Sequence, residues 1–239
     1  MTIFFVIGNT SIKVARAEGP SFSLATGASQ CDIQALLAGA SGTAAAASVN
    51  PSAEPAVTSA CRAAGLSGPV FAGRDFPAGV SMAVDTPGRA GIDRILNVKA
   101  AYRRCLRACA VVDLGTAVSI SVADGSGRFV GGAIFPGLAL SMSALSEHTA
   151  FLPHMEPAPA GAALGRDTAE AILSGVVNGA RGAIKEILAL IKRETCLQPA
   201  VFLTGTDSAL IAEGCPDDWH VVDGLTLEGL RLAYDESLR

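Results

Sequence analysis

A strand that runs into a glycine turn and out into a second strand occurs twice in this chain. Val6-Ile7-Gly8-Asn9-Thr10 can be laid on Asp113-Leu114-Gly115-Thr116-Ala117. A repeated unit of this kind confines the fold to a duplicated architecture in which each copy builds the same layers. Ahead of the first turn, residues 2–7 are a continuous β-branched and aromatic run, the pattern of a strand buried on both faces. Strands are expected again at 12–17 and 21–26, a short helix at 32–38, and a small-residue strand at 44–49 closed by Asn50-Pro51. A helix starts at Ser52 with Glu54 in its first turn, short strands are expected at 70–71 and 80–84, and a helix runs from Gly91 to about 104. The second cycle has strands at 110–114, 117–123 and 128–134, with Asp124-Gly125-Ser126-Gly127 as the hairpin between the last two. Helices at 138–146 and 168–194, a strand at 200–203, a turn at Gly205, a helix at 207–213, a strand at 220–222 and a helix at 226–237 complete it. The order β-β-β-α-β-α therefore appears twice, giving an α/β chain with expected halves at 1–107 and 108–239.

Composition narrows what such a chain can do. Half of its 239 residues are hydrophobic and 17% are charged, which excludes disorder as the overall state. The formal net charge is −4, so there is no basic footprint for nucleic acid or an anionic membrane. Any phosphate chemistry therefore concerns a small ligand. The uncharged run 129–146 approaches spanning length, but Gly131, Gly132, Pro136 and Gly137 divide it into strand, turn and helix. Six cysteines form no Cys-x-x-Cys and three histidines have no ligand spacing, so a structural metal is not expected. Without a basic leader or signal core, the chain is expected in the cytoplasm with its thiols reduced.

A tight glycine–hydroxyl turn between two strands exposes backbone N–H groups and a side-chain donor, which is what phosphate oxygens need. Gly8, Asn9 and Thr10 form one such turn and Gly115 and Thr116 another. Gly205, after a strand, offers a third where a nucleoside could approach the backbone. Two turns facing each other across a cleft would hold a triphosphate. Asp113, beside the second, would hold Mg²⁺, an ion that usually takes one or two protein carboxylates together with phosphates. Any single Gly-Thr turn is more often a plain hairpin; three in duplicated halves favour the binding role. Gly91-Ile92-Asp93-Arg94 opens the central helix. Two readings of it stand: ordinary N-terminal helix chemistry, in which an acid contributes roughly 0.3–1 kcal/mol, or a general base, Asp93, with Arg94 as a clamp for an anionic substrate. Gly165-Arg166-Asp167-Thr168 also heads a helix, where capping is the default. Lys13 either reaches a phosphate or is a solvated strand residue.

Taken together, these segments resemble the type III pantothenate kinase family of the actin-like superfamily, which also holds acetate and sugar kinases and Hsp70. The resemblance rests on Ile7-Gly8-Asn9-Thr10 with Lys13, Ser48-Val49-Asn50-Pro51, Thr86-Pro87 leading to Gly91-Ile92-Asp93-Arg94, and Val112 to Ala117. It continues through Gly131 to Gly137, Thr149 to Pro153, Gly165 to Thr168, Ser174-Gly175 and Leu203-Thr204-Gly205. The resemblance implies an α/β fold of duplicated ribonuclease H-like (actin-like ATPase) domains, each a mixed five-stranded sheet with flanking helices. It implies phosphorylation of pantothenate by ATP, the first step of coenzyme A synthesis, in a homodimer needing Mg²⁺ and a monovalent cation, K⁺ or NH₄⁺. On that resemblance Gly8 to Lys13, Gly115, Thr116 and Gly205 contact ATP, and Asp93 takes the proton from the pantothenate hydroxyl. Gly91, Ile92 and Arg94 hold the substrate, Thr168 reaches it at the dimer interface, and Asp113 serves the metal or the monovalent cation.

Two positions depart from that pattern. Val6 stands where the family's first motif has Asp, and the internal repeat says the same by laying Val6 on Asp113. Metal charge stabilisation is worth several kcal/mol in such reactions, so losing one carboxylate implies a rate loss between about tenfold and several thousandfold. Asp167 stands where the family has Asn, adding a negative charge unless its side chain caps the helix. An impaired relative that binds nucleotide or a pantothenate-like ligand in a regulatory role is thus the alternative to an active kinase. A superfamily kinase for another small alcohol is a third reading, since Val84 lies where the family often places an aromatic wall.

Overall fold

Strand β1, Thr2–Ile7, sends its side chains alternately to two apolar layers. In the computed structural model, which describes residues 1–17 and 19–239, Ile3, Phe5 and Ile7 join one buried cluster, while Phe4 and Val6 face another. The unbroken apolar run follows from this, because neither face of the strand meets water. Around β1 the sheet is built from β2 (Ser11–Arg16), β3 (Ser21–Ala25), β4 (Thr43–Ser48) and β5 (Ser67–Phe71), in the order β3-β2-β1-β4-β5. β1, β2 and β3 are antiparallel, and β4 and β5 run parallel to β1. Alanines dominate β4 because it too is buried on both sides, with Ala44 and Ala46 on one face and Ala45 and Ala47 on the other.

The first face is covered by α1 (Gln30–Leu36) and α2 (Glu54–Ala63), through Ile33, Leu37, Val57, Ala60 and Cys61. α1 starts with a capping box, the Ser29 hydroxyl accepting from the Asp32 N–H and Asp32 accepting from the Ser29 N–H. On the second face lie α3 (Ile92–Cys105) and α7 (Leu225–Ser237), through Leu96, Leu227, Leu230, Ala233 and Tyr234.

The same topology recurs downstream. β6 (Cys109–Leu114), β7 (Ala117–Ala123), β8 (Phe129–Pro136), β9 (Ala200–Thr204) and β10 (His220–Val221) form a sheet in the order β8-β7-β6-β9-β10. Its helices are α4 (Leu138–His148), α5 (Thr168–Thr195) and α6 (Ser208–Ala212). α5 buries Ile172, Val177, Ile184 and Leu188 against Val112, Leu114 and Ile120. Two mixed five-stranded sheets with identical strand order are the duplicated architecture that the repeat implies.

The chain divides into two compact units, Met1–Arg104 with Gly224–Arg239, and Cys105–Asp223. The division at 107/108 expected from the sequence differs by one element, since α7 returns to the first unit. Leu227, Leu230 and Tyr234 there cover apolar surface of Phe4 and Ala47 that would otherwise meet water. Four contacts then bind α7 to α3. A side chain at Gly229 would strike the Leu96 carbonyl, and the Thr226 hydroxyl donates to Asn97 Oδ1 at 2.8 Å. Lys99 pairs with Glu236 at 2.6 Å, and Arg104 with Glu228 at 2.6 Å. A second difference is local: the expected strand at 80–84 adds to neither sheet, and Gly79, at φ 69°, breaks the extended run at its start. Among the described residues no helix is long and apolar enough to cross a membrane.

In an isolated helix, replacing Gly229 by Ala would be stabilising by about 1 kcal/mol. Here the added methyl meets the Leu96 carbonyl, so Gly229→Ala is expected to destabilise by roughly 1–3 kcal/mol. Thermal unfolding checks this: a fall in Tm of several degrees is expected, and an unchanged or raised Tm would mean that the two helices separate freely.

Candidate active site

In the first unit the turn between β1 and β2 is held from several sides. The Gly8 N–H donates to Ser11 O at 2.9 Å, and the Gly8 carbonyl accepts from the Thr26 hydroxyl (3.1 Å) and the Asn50 amide (3.4 Å). Asn9 and Thr10 are exposed at its tip. Lys13 stands directly across from Val6 on β2, and so on the face that α3 covers. Val6 itself packs at the edge of the Phe4–Leu96 cluster, as Ile92 does.

At the start of α3 the Asp93 carboxylate folds back on its own helix, with Oδ1 accepting the Arg94 N–H at 2.8 Å. Burial raises its pKa, and the Arg94 backbone and guanidinium oppose that only in part. Burial likewise lowers the pKa of the Arg94 guanidinium, with Asp93 pulling it back up. The two sequence readings of this segment therefore meet in one geometry: a carboxylate bonded to its helix N-terminus that is also a better base than an ordinary aspartate. Gly91 has a reason the sequence did not show. A Cβ there would lie 2.5 Å from Asp93 Oδ1, so glycine leaves room for the carboxylate.

In the second unit the turn between β6 and β7 is closed by Gly115 N–H to Ala117 O (3.2 Å). It is backed by Gly137, whose N–H donates to Thr116 O at 3.0 Å and where any side chain would strike the Gly115 carbonyl. Gly205, at φ 95°, lies against the end of β6: a Cβ there would strike the Leu114 carbonyl and sit 2.7 Å from Asp113 Oδ1. The Asp207 N–H fastens the turn to Leu114 O at 3.2 Å, and burial raises the Asp207 pKa. Asp113, Gly115, Thr116 and Gly205 are thus brought together. Gly137, read from the sequence as a break in the run 129–146, and Asp207 were not among the expected site residues. Thr168 is exposed in the first turn of α5. Asp167 caps that helix, its Oδ1 accepting the Glu170 N–H at 2.8 Å, while Glu170 accepts the Arg166 N–H at 2.8 Å. The extra negative charge is therefore spent on the helix N-terminus.

Val6 and Asp113 hold matching places in the two strand registers. Val6 pairs with Lys13 and Ala47, and Asp113 with Ser119 and Thr204, each one residue short of the last pair before its turn. The two positions are equivalent, and one of them lacks a donor. Among the described residues no group of three or more His, Cys, Asp or Glu side chains could hold a metal ion.

A family model for type III pantothenate kinase matches residues 3–190. The type III pantothenate kinase of Akkermansia muciniphila is 41% identical over 163 residues, which are 68% of this chain and 67% of that relative. The aligned part thus spans about two thirds of that relative's length. Among solved structures, a conserved Campylobacter jejuni protein provisionally described as a Baf family transcriptional activator matches with a TM-score of 0.66 at 20% identity, over 98% of both chains. An archaeal actin homologue matches with a TM-score of 0.53 at 12% identity, over 99% of both chains. These likenesses show an actin-like fold.

The raised pKa of Asp93 has a consequence for stability. A carboxylate that binds its proton more tightly folded than unfolded loses stability as pH rises through the interval between its two pKa values, and above it the penalty is complete. Asp93→Asn removes the charge and keeps an acceptor for the Arg94 N–H. The variant is expected to unfold at a higher temperature than the wild type at pH 7, the gap closing as pH falls below the ordinary carboxylate range. Equal Tm values at pH 7 would show that burial does not disfavour the Asp93 charge.

Proposed function

The chain belongs to the type III pantothenate kinase family, and from that premise we propose that it transfers the terminal phosphoryl group of ATP to the hydroxyl of pantothenate. The product is 4′-phosphopantothenate, the first intermediate of coenzyme A synthesis. The observation that carries this reading is the half-buried Asp93, with its pKa raised and its carboxylate anchored on the Arg94 N–H.

Phosphoryl transfer asks the protein mainly to position reactants and neutralise charge. Asp93 accepts the proton of the attacking hydroxyl, a task that suits a carboxylate whose pKa has moved toward neutrality. Arg94, adjacent on the same helix turn, holds the substrate carboxylate, and Gly91 and Ile92 form the backbone edge beside it. Gly8, Asn9, Thr10 and Lys13 contribute N–H, hydroxyl and ammonium donors to the nucleotide. On the family resemblance Gly115, Thr116 and Gly205 also contact ATP. Asp113 holds the divalent ion, which when bound offsets negative charge on the transferring phosphoryl group. The family resemblance supports the remaining roles: a monovalent cation (K⁺ or NH₄⁺), a homodimer to which Thr168 contributes, and a cytoplasmic setting without nucleic acid or membrane.

Val6 favours a second reading, a family member that binds ligand without efficient turnover. An aspartate at position 6 would face Lys13 directly across the strand pair, a favourable pairing of opposite charges. The valine leaves that ammonium without a carboxylate opposite and the ion with Asp113 alone.

The experiment is ADP release by purified protein with ATP, Mg²⁺ and K⁺ or NH₄⁺, with and without pantothenate, and mass detection of the product. Mn²⁺ is tested in parallel. Pantothenate-dependent turnover is expected. Asp93→Asn should lower it by about 10²–10⁴-fold with ATP binding retained. Val6→Asp should raise kcat or lower the Mg²⁺ requirement by about tenfold or more. ATP binding without turnover under every metal would establish the second reading instead.

A further inference from the structure

We infer that Gly73 is a positioning residue for the reaction: the rigid turn around it abuts Ile92 and so sets where Asp93 stands. This rests on the reading of Asp93 as the base, and extends it to a segment that carries no chemistry of its own.

β5 ends at Phe71 and the chain reverses over the next five residues. The Phe71 carbonyl accepts the N–H groups of Arg74 (3.2 Å) and Asp75 (2.8 Å), and the Phe71 N–H donates to Asp75 Oδ2 at 2.7 Å. Gly73 N–H donates to Phe76 O at 2.7 Å, and Ala72 N–H to Ala46 O on β4 at 2.8 Å. The flanks are anchored as firmly. Ala72 and Phe76 are buried in the cluster of Phe4 and Leu96, with the Phe76 ring edge-on to Tyr234 at 5.5 Å. Arg74 lies 4.0 Å over the Phe71 ring and pairs with Glu54 on α2 at 2.8 Å. A turn held by its own backbone, the sheet, a helix and the core has little freedom to yield.

At its tip is Gly73, with φ 81°, a conformation that side chains other than hydrogen rarely adopt. A Cβ there would lie 3.3 Å from Ile92 Cδ1 and 4.0 Å from Cγ1. Ile92 is the first residue of α3 and precedes Asp93. From the other side, a Cβ at Gly91 would come within 2.5 Å of Asp93 Oδ1. A methyl at 73 meets the tip of Ile92, which must give by a few tenths of an ångström because the turn that carries residue 73 is pinned. Displacing a reacting group by about 1 Å costs on the order of 10²-fold, so a shift of a few tenths of an ångström corresponds to about tenfold or less.

The test is a double-variant cycle. Gly73→Ala introduces the clash together with backbone strain, and Ile92→Val removes Cδ1, the atom that is struck. Backbone strain lowers Tm equally in Gly73→Ala and in the double variant; the clash is relieved only in the second. Gly73→Ala is expected to lower kcat by about threefold to tenfold with KM for ATP unchanged, Ile92→Val alone to have a smaller effect, and the double variant to recover most of the loss. A readout independent of turnover is hydrogen exchange at the Arg94 amide, which should quicken in Gly73→Ala and slow again in the double variant. Wild-type kcat and exchange in Gly73→Ala, or a double variant no better than the two single effects combined, overturns the inference. If Gly73→Ala does not accumulate, Asp75→Ala, which frees the Phe71 N–H, should quicken Arg94 exchange, and unchanged exchange overturns the inference. Asp93→Asn in the same assay separates the two layers. Full turnover there removes Asp93 as base, whereas loss there with no coupling between 73 and 92 removes this inference alone.

Discussion

Burial of the central strand on both faces is the constraint from which the rest of the molecule follows. β1 is sandwiched between two apolar layers and every residue of β6 except Asp113 is buried, and an unpaired polar group inside an apolar layer costs several kcal/mol. Polar chemistry is therefore displaced to the ends of these strands, where the chain leaves the ladder and turns. Gly8 to Ser11 follow β1, and Gly115 and Thr116 follow β6. Asp113 is placed one residue inside the ladder, close enough to the end for its carboxylate to sit by the Gly205 turn. The same position in β1 is outfitted with valine, which adds to the core what it withholds from the site.

What was legible in the sequence is what has a local cause. The run 2–7 announces a doubly buried strand because every residue in it is apolar or β-branched, and the glycine turns announce themselves by chemistry that only the backbone needs. Asp93 was legible as one of two things, and the structure explains why neither could be discarded: its carboxylate bonds its own helix N-terminus while burial makes it basic. Contacts between distant segments were not legible. The pattern of α7 shows an apolar stripe without saying which sheet it covers, so its return to the first unit could not be read. Gly137 owes its identity to a backbone atom elsewhere in the chain, the Gly115 carbonyl. Residues 80–84 alternate as a strand should, yet joined no ladder.

The two departures from the family pattern differ in physical weight. Asp167 is absorbed locally, since a helix N-terminus with exposed N–H groups is a place where a carboxylate is stabilising. Val6 has no such local outlet. Its neighbours across the ladder are Lys13 and Ala47, neither of which can offer oxygen to a cation. The duplicated units are thus asymmetric in chemistry while identical in strand order. The second gathers a carboxylate, a glycine turn and a close backbone approach around Asp113, and the first retains cationic and neutral donors beside its turn.

Asp93 shows what holding such a group demands of the fold. A carboxylate with a raised pKa is a stability liability at neutral pH, and it persists only where the surroundings leave it nowhere better to go. The surroundings here are three kinds of restraint acting on one helix start: a missing side chain at Gly91, a backbone bond from Arg94, and the apolar anchor Ile92 set against a turn that cannot move. α7 supplies the other end of the restraint by gripping α3 at Leu96, Asn97, Lys99 and Arg104. The helix that presents Asp93 is therefore fixed at its first turn by residues before it in the chain and along its length by residues more than a hundred positions after it, as the separation of Asn97 and Thr226 by 129 illustrates. Such non-local fixing is why the Asp93 carboxylate can sit half-buried and still keep its place.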